Sequence, residues 1–255
     1  MCIRDSKSAP KNQQAVILQT ANGLPQVNIQ TPSSQGVSVN RFKQFDVDEK
    51  GVILNNSRSN TQTQLGGWIQ GNPHLARGEA RVIVNQIDSS NPSLLNGYIE
   101  VGGKRAEVVV ANPSGIRVNG GGLINAASVT LTSGVPVLNN GNLTGFDVSS
   151  GKVVIGGKGL DTSDADYTRI LSRAAEINAG VWGKDVKVVS GKNKLDFDGS
   201  LAKTASAPSS SDSVTPTVAI DTATLGGMYA DKITLISTDN GAVIRNKGRI
   251  FAALR

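Results

Sequence analysis

The chain has 255 residues, and its 26 Lys and Arg against 20 Asp and Glu give a net charge of +6 with no dense basic block, which argues against a nucleic-acid-binding protein. Charged residues, at 18%, are too few for a typical disordered chain, and aromatics, at 4%, leave the core to Val, Ile, Leu and Ala. A thin, elongated core of small aliphatics is the architecture this composition favours.

In chain order, Met1–Lys11 (MCIRDSKSAPK) lacks the apolar run of about 7–15 residues that a signal peptide needs, and its composition is unlike that of the remaining chain. A disordered or artificial start is therefore expected over residues 1–13. From Gln14 the pattern is β. Ala15–Leu18 is apolar, Asn22-Gly23 is a hairpin dipeptide, and Val27 and Ile29 alternate with polar neighbours. Val37 and Val39 lead to Phe42, Phe45 and Val47, and residues 51–57 (GVILNNS) end in an Asn pair. Residues 65–75 (LGGWIQGNPHL) stop at an Asn-Pro turn, residues 81–87 are apolar again, and Asn91-Pro92 breaks the chain once more. Residues 96–122, NGYIEVGGKRAEVVVANPSGIRVNGGG, then hold three short runs punctuated by Gly102-Gly103, Asn112-Pro113 and Gly120-Gly121-Gly122. Strands this short, turning this often, cannot each bury a face alone and must stack on neighbours.

An internal repeat supports stacking. Residues 129–134 (VTLTSG), 186–191 (VKVVSG) and 229–238 (YADKITLIST) echo one another, and 241–248 (GAVIRNKG) resembles 51–57. Loose repeats with insertions predict a β-solenoid of about ten coils, with roughly 20–25 residues per coil and about 4.8 Å between coils. Asn side chains would stack in internal ladders and Asn-Gly pairs would turn the corners. One segment departs from this pattern. Tyr167, Ile170, Leu171, Ala174 and Ala175 stand at helical spacing behind a potential N-cap, Asp164, which predicts a short helix over Asp164–Leu171 and a strand after it. Residues 201–216 are rich in Ser, Ala and Pro and read as a loop or linker, after which the solenoid pattern resumes over 217–255.

Catalytic and metal chemistry finds little support. His74 is the only histidine and Cys2 the only cysteine, so the chain forms no internal disulfide and offers no four-ligand zinc set. His74 reads as a turn residue. Asp161, Asp164 and Asp166 match no complete calcium loop, and Gly156-Gly157-Lys158-Gly159 lacks the spacing of a phosphate loop. Asp46, Asp48 and Glu49 read as a solvated turn rather than a glycosidase pair. Lys184, Lys187, Lys192 and Lys194 form a basic cluster that would contact an acidic glycan, or simply a solvated face. No segment is apolar enough for a transmembrane helix, and no metal or cofactor is expected.

Residues 21–29, 36–57, 65–75, 89–123 and 173–193 together resemble the two-partner secretion domain of filamentous haemagglutinin-like adhesins and contact-dependent inhibition proteins. The resemblance covers roughly residues 14–200. The family signatures NPNL and NPNGI stand here as Asn72-Pro73-His74-Leu75 and Asn112-Pro113-Ser114-Gly115-Ile116, each departing at its third position. The resemblance implies an all-β fold, a right-handed parallel β-helix with an N-terminal cap and extra-helical antiparallel strands. It also implies recognition by the POTRA domains of an outer-membrane β-barrel transporter, with these nine residues as a recognition or fold motif. Residues 217–255 resemble the start of the haemagglutinin-type repeats. A secreted or cell-surface protein of a Gram-negative bacterium is expected, exported through the periplasm, with contact to host or neighbouring cells through further sequence. A glycan-binding adhesin module and a β-helix polysaccharide-degrading enzyme are the alternative readings on the same fold.

Overall fold

The computed structural model describes residues 3–202 and 216–253. One wall is an eight-stranded sheet in which Val37–Phe45, Val82–Ile87, Ala106–Ala111, Ala126–Thr132, Tyr167–Ser172, Asp185–Ser190 and Lys232–Ser237 stack in parallel. The opposite wall stacks Pro25–Asn28, Val52–Asn56, Tyr98–Gly103, Ile116–Ile124, Lys152–Asp161, Ala174–Ile177, Val218–Thr222 and Val243–Asn246, also in parallel. Gly180–Trp182, Gly227–Ala230 and Arg249–Ala252 carry the later coils around a third side. The protein is a parallel β-helix.

Alternation in each strand sends Val, Ile and Leu inward. Leu54, Ile83, Val108, Val110, Val129, Ile155, Ile170, Ile177 and Val188 meet in one continuous core and are fully buried. Burial of this kind contributes about 25 cal/mol per Å² of apolar surface. The outside of the first wall is covered as well. Val135–Asn139, Asn142–Val148 and Asn193–Asp196 form an antiparallel extra-helical sheet, and Leu143, Phe146, Val148 and Leu195 pack on Val82, Val84, Val109 and Ala111. That second cover explains why Ala106–Ala111 is almost continuously apolar: both its faces are buried.

Val82 pairs with Glu107, Glu107 with Ser128 and Thr168 with Val186, so an uninterrupted coil is 18–25 residues long. Other steps are longer: Ser128 pairs with Tyr167 across the hairpin insertion, and Val186 pairs with Ile233. Among the described residues the first wall accordingly has seven parallel rungs rather than the expected ten or so, because the inserted strands carry the same β pattern as the rungs. The expected repeats are rungs: Ala126–Thr132, Asp185–Ser190 and Lys232–Ser237 lie in one wall, Val52–Asn56 and Val243–Asn246 in the other. Asn ladders form too, since Asn55 Nδ2 donates to Asn28 Oδ1 at 2.9 Å and the fully buried Asn40 and Asn85 are paired neighbours. Asn22-Gly23 and Asn140-Gly141, however, turn antiparallel hairpins and not coil corners; Asn140 and Gly141 sit at φ 48° and 76°, the pair of left-handed positions a tight hairpin needs.

One expectation is corrected. The helix over Asp164–Leu171 does not form; Tyr167–Ser172 is a parallel strand, preceded by a turn. Its Ile170 faces the core and its Leu171 faces the extra-helical sheet, so two-sided burial produced apolar neighbours that mimic helical spacing. The strand expected after it is Ala174–Ile177. Within residues 1–13, Ile3–Asp5 pairs antiparallel with Val37–Phe45, and Ile3 is buried in the core. This strand covers the edge of the first coil, which would otherwise invite pairing with another chain. Most of the loop or linker assigned to 201–216 lies outside the described residues; at its start, Leu201 bridges Leu195. Among the described residues no helix is long and apolar enough to cross a membrane.

Candidate functional site: the two Asn-Pro turns

Asn72 caps a short 3-10 turn, Pro73–Leu75, at φ −82° and ψ 117°. Proline suits the first position of such a turn, because its fixed φ matches and its missing N–H would have no partner there. Asn72 Oδ1 accepts from the His74 backbone N–H at 3.0 Å, and the Asn72 carbonyl accepts from Leu75 N–H at 3.2 Å. Its Nδ2 donates to the carbonyls of Ile29 at 2.9 Å and Asn55 at 3.0 Å, tying the turn to two other segments. Leu75 is driven into the core. His74 is half-buried with Nδ1 3.2 Å from the Ile29 carbonyl.

Asn112 repeats this arrangement in another coil. Its Oδ1 accepts from Ser114 N–H at 2.9 Å, and its carbonyl accepts from Gly115 N–H at 2.9 Å. Nδ2 donates to the Asn91 carbonyl and to Ser93 Oγ, both at 3.0 Å. Ser114 Oγ donates to the Ser89 carbonyl at 2.6 Å, so the third position of each motif reaches a neighbouring backbone carbonyl, through an imidazole in one case and a hydroxyl in the other. Gly115 has φ 108°, and a Cβ there would lie 2.7 Å from the Lys152 carbonyl oxygen; Ile116 then enters the core. Asn72 and Asn112 are both buried, and every amide proton and oxygen of the two side chains is engaged within the fold. Neither amide is offered to solvent.

The four lysines are not brought together at one point. Lys184 stands at a corner with Nζ 3.7 Å from Asp166 Oδ1, and Lys187 projects from Asp185–Ser190 and donates to the Asp198 carbonyl at 3.1 Å. Lys192 lies just beyond that strand, and Lys194 belongs to the extra-helical sheet, paired with Asp147. The acidic cluster serves the fold: Asp164 Oδ2 accepts from Asn125 N–H at 2.9 Å, and Asp166 pairs with Arg105 at 3.3 Å. Asp161 accepts from Ser163 and from the Tyr98 hydroxyl. Burial opposes ionisation of Asp161, yet these hydrogen bonds hold its carboxyl below the ordinary range, while burial and Asp161 push the Tyr98 hydroxyl up. No group of His, Cys, Asp and Glu able to hold a metal occurs among the described residues.

Sequence patterning missed Glu100. Its buried carboxylate accepts from Gln64 N–H at 2.7 Å and Leu65 N–H at 2.8 Å, pinning the hairpin of Thr61–Thr63 and Gly67–Ile69 to the solenoid. The only signal was an acidic residue in an otherwise apolar strand.

A capped parallel β-helix with paired Asn-Pro turns defines one class of protein, and the comparisons with known proteins fall on that class. The family model for the TPS secretion domain matches residues 3–254. The crystal structure of the filamentous hemagglutinin secretion domain superposes with a TM-score of 0.87 at 33% identity, covering 99% of this chain and 84% of that one. Among sequences, the chain is 53% identical over 246 residues to "Toxin CdiA" of Yersinia pestis and 47% identical over 238 residues to "tRNA nuclease CdiA-2" of Burkholderia pseudomallei. These matches cover 96% and 92% of this chain but only 7% and 8% of those proteins. The chain belongs to the TPS secretion domain family and is a secretion module of the kind found in CdiA and filamentous haemagglutinin-like exoproteins. The nuclease activity in the second relative's name is said of that much longer protein.

Proposed function

We propose that this module is selected by a cognate outer-membrane β-barrel transporter through its periplasmic POTRA domains, and that it then nucleates folding of a long β-helical exoprotein outside the cell. The parent protein on this reading is a toxin carrier or adhesin delivered to the surface of a Gram-negative bacterium. Asn72, Pro73, His74 and Leu75, with Asn112, Pro113, Ser114, Gly115 and Ile116, act in this scheme as corner locks. The observation that carries the reading is the internal saturation of both Asn amides, which binds each turn to the coils beside it.

The physics of export agrees. A chain threading a pore must be extended, and a strand offered to a sheet edge is held by backbone hydrogen bonds. Once outside, each coil presents an unpaired strand edge and an apolar face to the next, so stacking makes return unfavourable without nucleotide hydrolysis. Retention of the purified chain on the immobilised POTRA region of the cognate transporter tests the first step. Absence of retention at micromolar concentration contradicts it.

A further inference from the structure

The third side of the solenoid carries a column of outward side chains that neither the Asn-Pro turns nor the core uses. Register places Tyr98 beside Gly122, Gly122 beside Asp161, Asp161 beside Trp182, Trp182 beside Tyr229 and Tyr229 beside Phe251. Their strand neighbours Ile99, Leu123, Leu160, Val181 and Met228 lie in the core, so alternation sends this column to the surface. Five steps of about 4.8 Å make a strip roughly 24 Å long.

The rings lie flat on the sheet. A Cβ on Gly122 would stand 2.3 Å from Tyr98 Cε1 and 2.7 Å from both Cδ1 and Cζ, distances that put it over the face of the ring and not at its edge. A Cβ on Gly180 would meet three atoms of the Trp182 indole at 2.4, 2.5 and 3.0 Å, and one on Gly159, in the preceding rung, would meet it at 3.0 Å. Tyr229 covers Gly227 in the same way, and the Trp182 and Tyr229 rings are 12° from parallel with centroids 6.1 Å apart. Covering a strand glycine accounts for the inner face of these rings. The outer side of the strip is open: Trp182 is 43% and Phe251 61% exposed, and Tyr98 and Tyr229 are half-buried.

The geometry points to a binding strip for an unbranched, uncharged pyranose chain, such as a β-linked glucan or N-acetylglucosamine polymer, laid along the solenoid axis. A pyranose with equatorial substituents has flat faces of C–H bonds, whose partial positive charge suits the electron-rich face of an aromatic ring. Aromatic area with a few placed polar groups is the general make-up of such sites; here the Tyr229 hydroxyl and Arg249, in register with Gly227, supply them. Charge argues against a polyanion. Lys158, next to Gly159, has Glu49 at 3.5 Å, Lys184, just past Trp182, has Asp166 at 3.7 Å, and Asp161 lies within the strip itself. Lys187 and Lys194 belong to the first wall and its cover, so the strip is distinct from the basic cluster. It is also independent of the transporter.

Tryptophan emission reports on the strip directly. The chain holds two tryptophans, so a Trp68→Phe background leaves Trp182 alone. Titration with cellohexaose and with chitohexaose is expected to shift or quench that emission saturably with at least one of them, and raising salt should not weaken the effect. Calorimetry then compares variants that circular dichroism shows folded. Trp182→Leu and Tyr229→Leu keep apolar cover over the glycines but lose the ring, and each is expected to weaken binding about tenfold or more, while Trp182→Phe stays within about threefold. Unchanged emission with both sugars at millimolar concentration overturns the inference, and so does unchanged affinity in either folded leucine variant. Retention on heparin alone, lost in salt, also overturns it, because glycan contact would then belong to the lysines.

Discussion

Asn72 and Asn112, in different coils, close the same turn with the same set of hydrogen bonds. In each, Oδ1 receives the N–H two residues on, the carbonyl receives the N–H three residues on, and Nδ2 reaches two acceptors outside the turn. The pair of signatures is one structural device used twice. It explains why a secretion domain would keep an amide at each site even where nothing outside the fold touches it.

Replacing Asn72 takes the amide donor from the Ile29 and Asn55 carbonyls, and replacing Asn112 takes it from the Asn91 carbonyl and the buried Ser93 hydroxyl. Asn72→Ala and Asn112→Ala are each expected to lower unfolding free energy by about 2–3 kcal/mol, read as a shift in urea midpoint at constant slope. Ser114→Ala, which removes a single hydroxyl contact to Ser89, should cost about 1 kcal/mol.

Gly115 is expected to resist substitution. At φ 108° with the Lys152 carbonyl so close, Gly115→Ala must shift one coil against the next. A loss of about 1–3 kcal/mol is expected, whereas Gly23→Ala, at a hairpin tip with open space around it, should lose less. Thermal unfolding of the two variants side by side checks the ordering.

Much of this was legible in the sequence. Asn-Pro with a small step and then an aliphatic is a local pattern, and local turn chemistry reads well from one strand. Ile170 and Leu171 were misread because an extra-helical sheet buries the second face of their strand, and two-sided burial erases alternation. The coil count was inflated because the Val135–Val148 hairpin looks like a rung until pairing places it outside the solenoid. Arg173 and Asp239 meet only through the fold, so no spacing rule announces them.

Glu100→Gln should free the Thr61–Ile69 hairpin while leaving the solenoid folded, since the amide replaces one acceptor oxygen with a donor facing N–H groups. The expected effect is faster tryptic cleavage at Arg58, with a local cost of about 1–3 kcal/mol. Unchanged cleavage kinetics would remove Glu100 from the role of hairpin anchor.

Alkaline pH should weaken the fold through Tyr167. Burial and its hydrogen bond to Glu107 push the hydroxyl up to about 12 from an ordinary value of 10.0, while the Arg169 guanidinium lies 4.0 Å from the ring centroid. The folded state holds the proton more tightly than the unfolded chain, so this contribution is complete below pH 10 and is lost as pH rises toward 12. The urea midpoint should fall across that window, and Tyr167→Phe should make the fall shallower.

The central claim is that the Asn-Pro signatures serve export by fixing the coil and are not themselves transporter contacts. Its most direct test is calorimetric titration of the POTRA region into wild type, Asn72→Ala and Asn112→Ala, at a temperature where circular dichroism shows all three folded. The account expects Kd values within about threefold of one another, a difference under roughly 0.7 kcal/mol. A folded variant that binds at least about tenfold more weakly would contradict it.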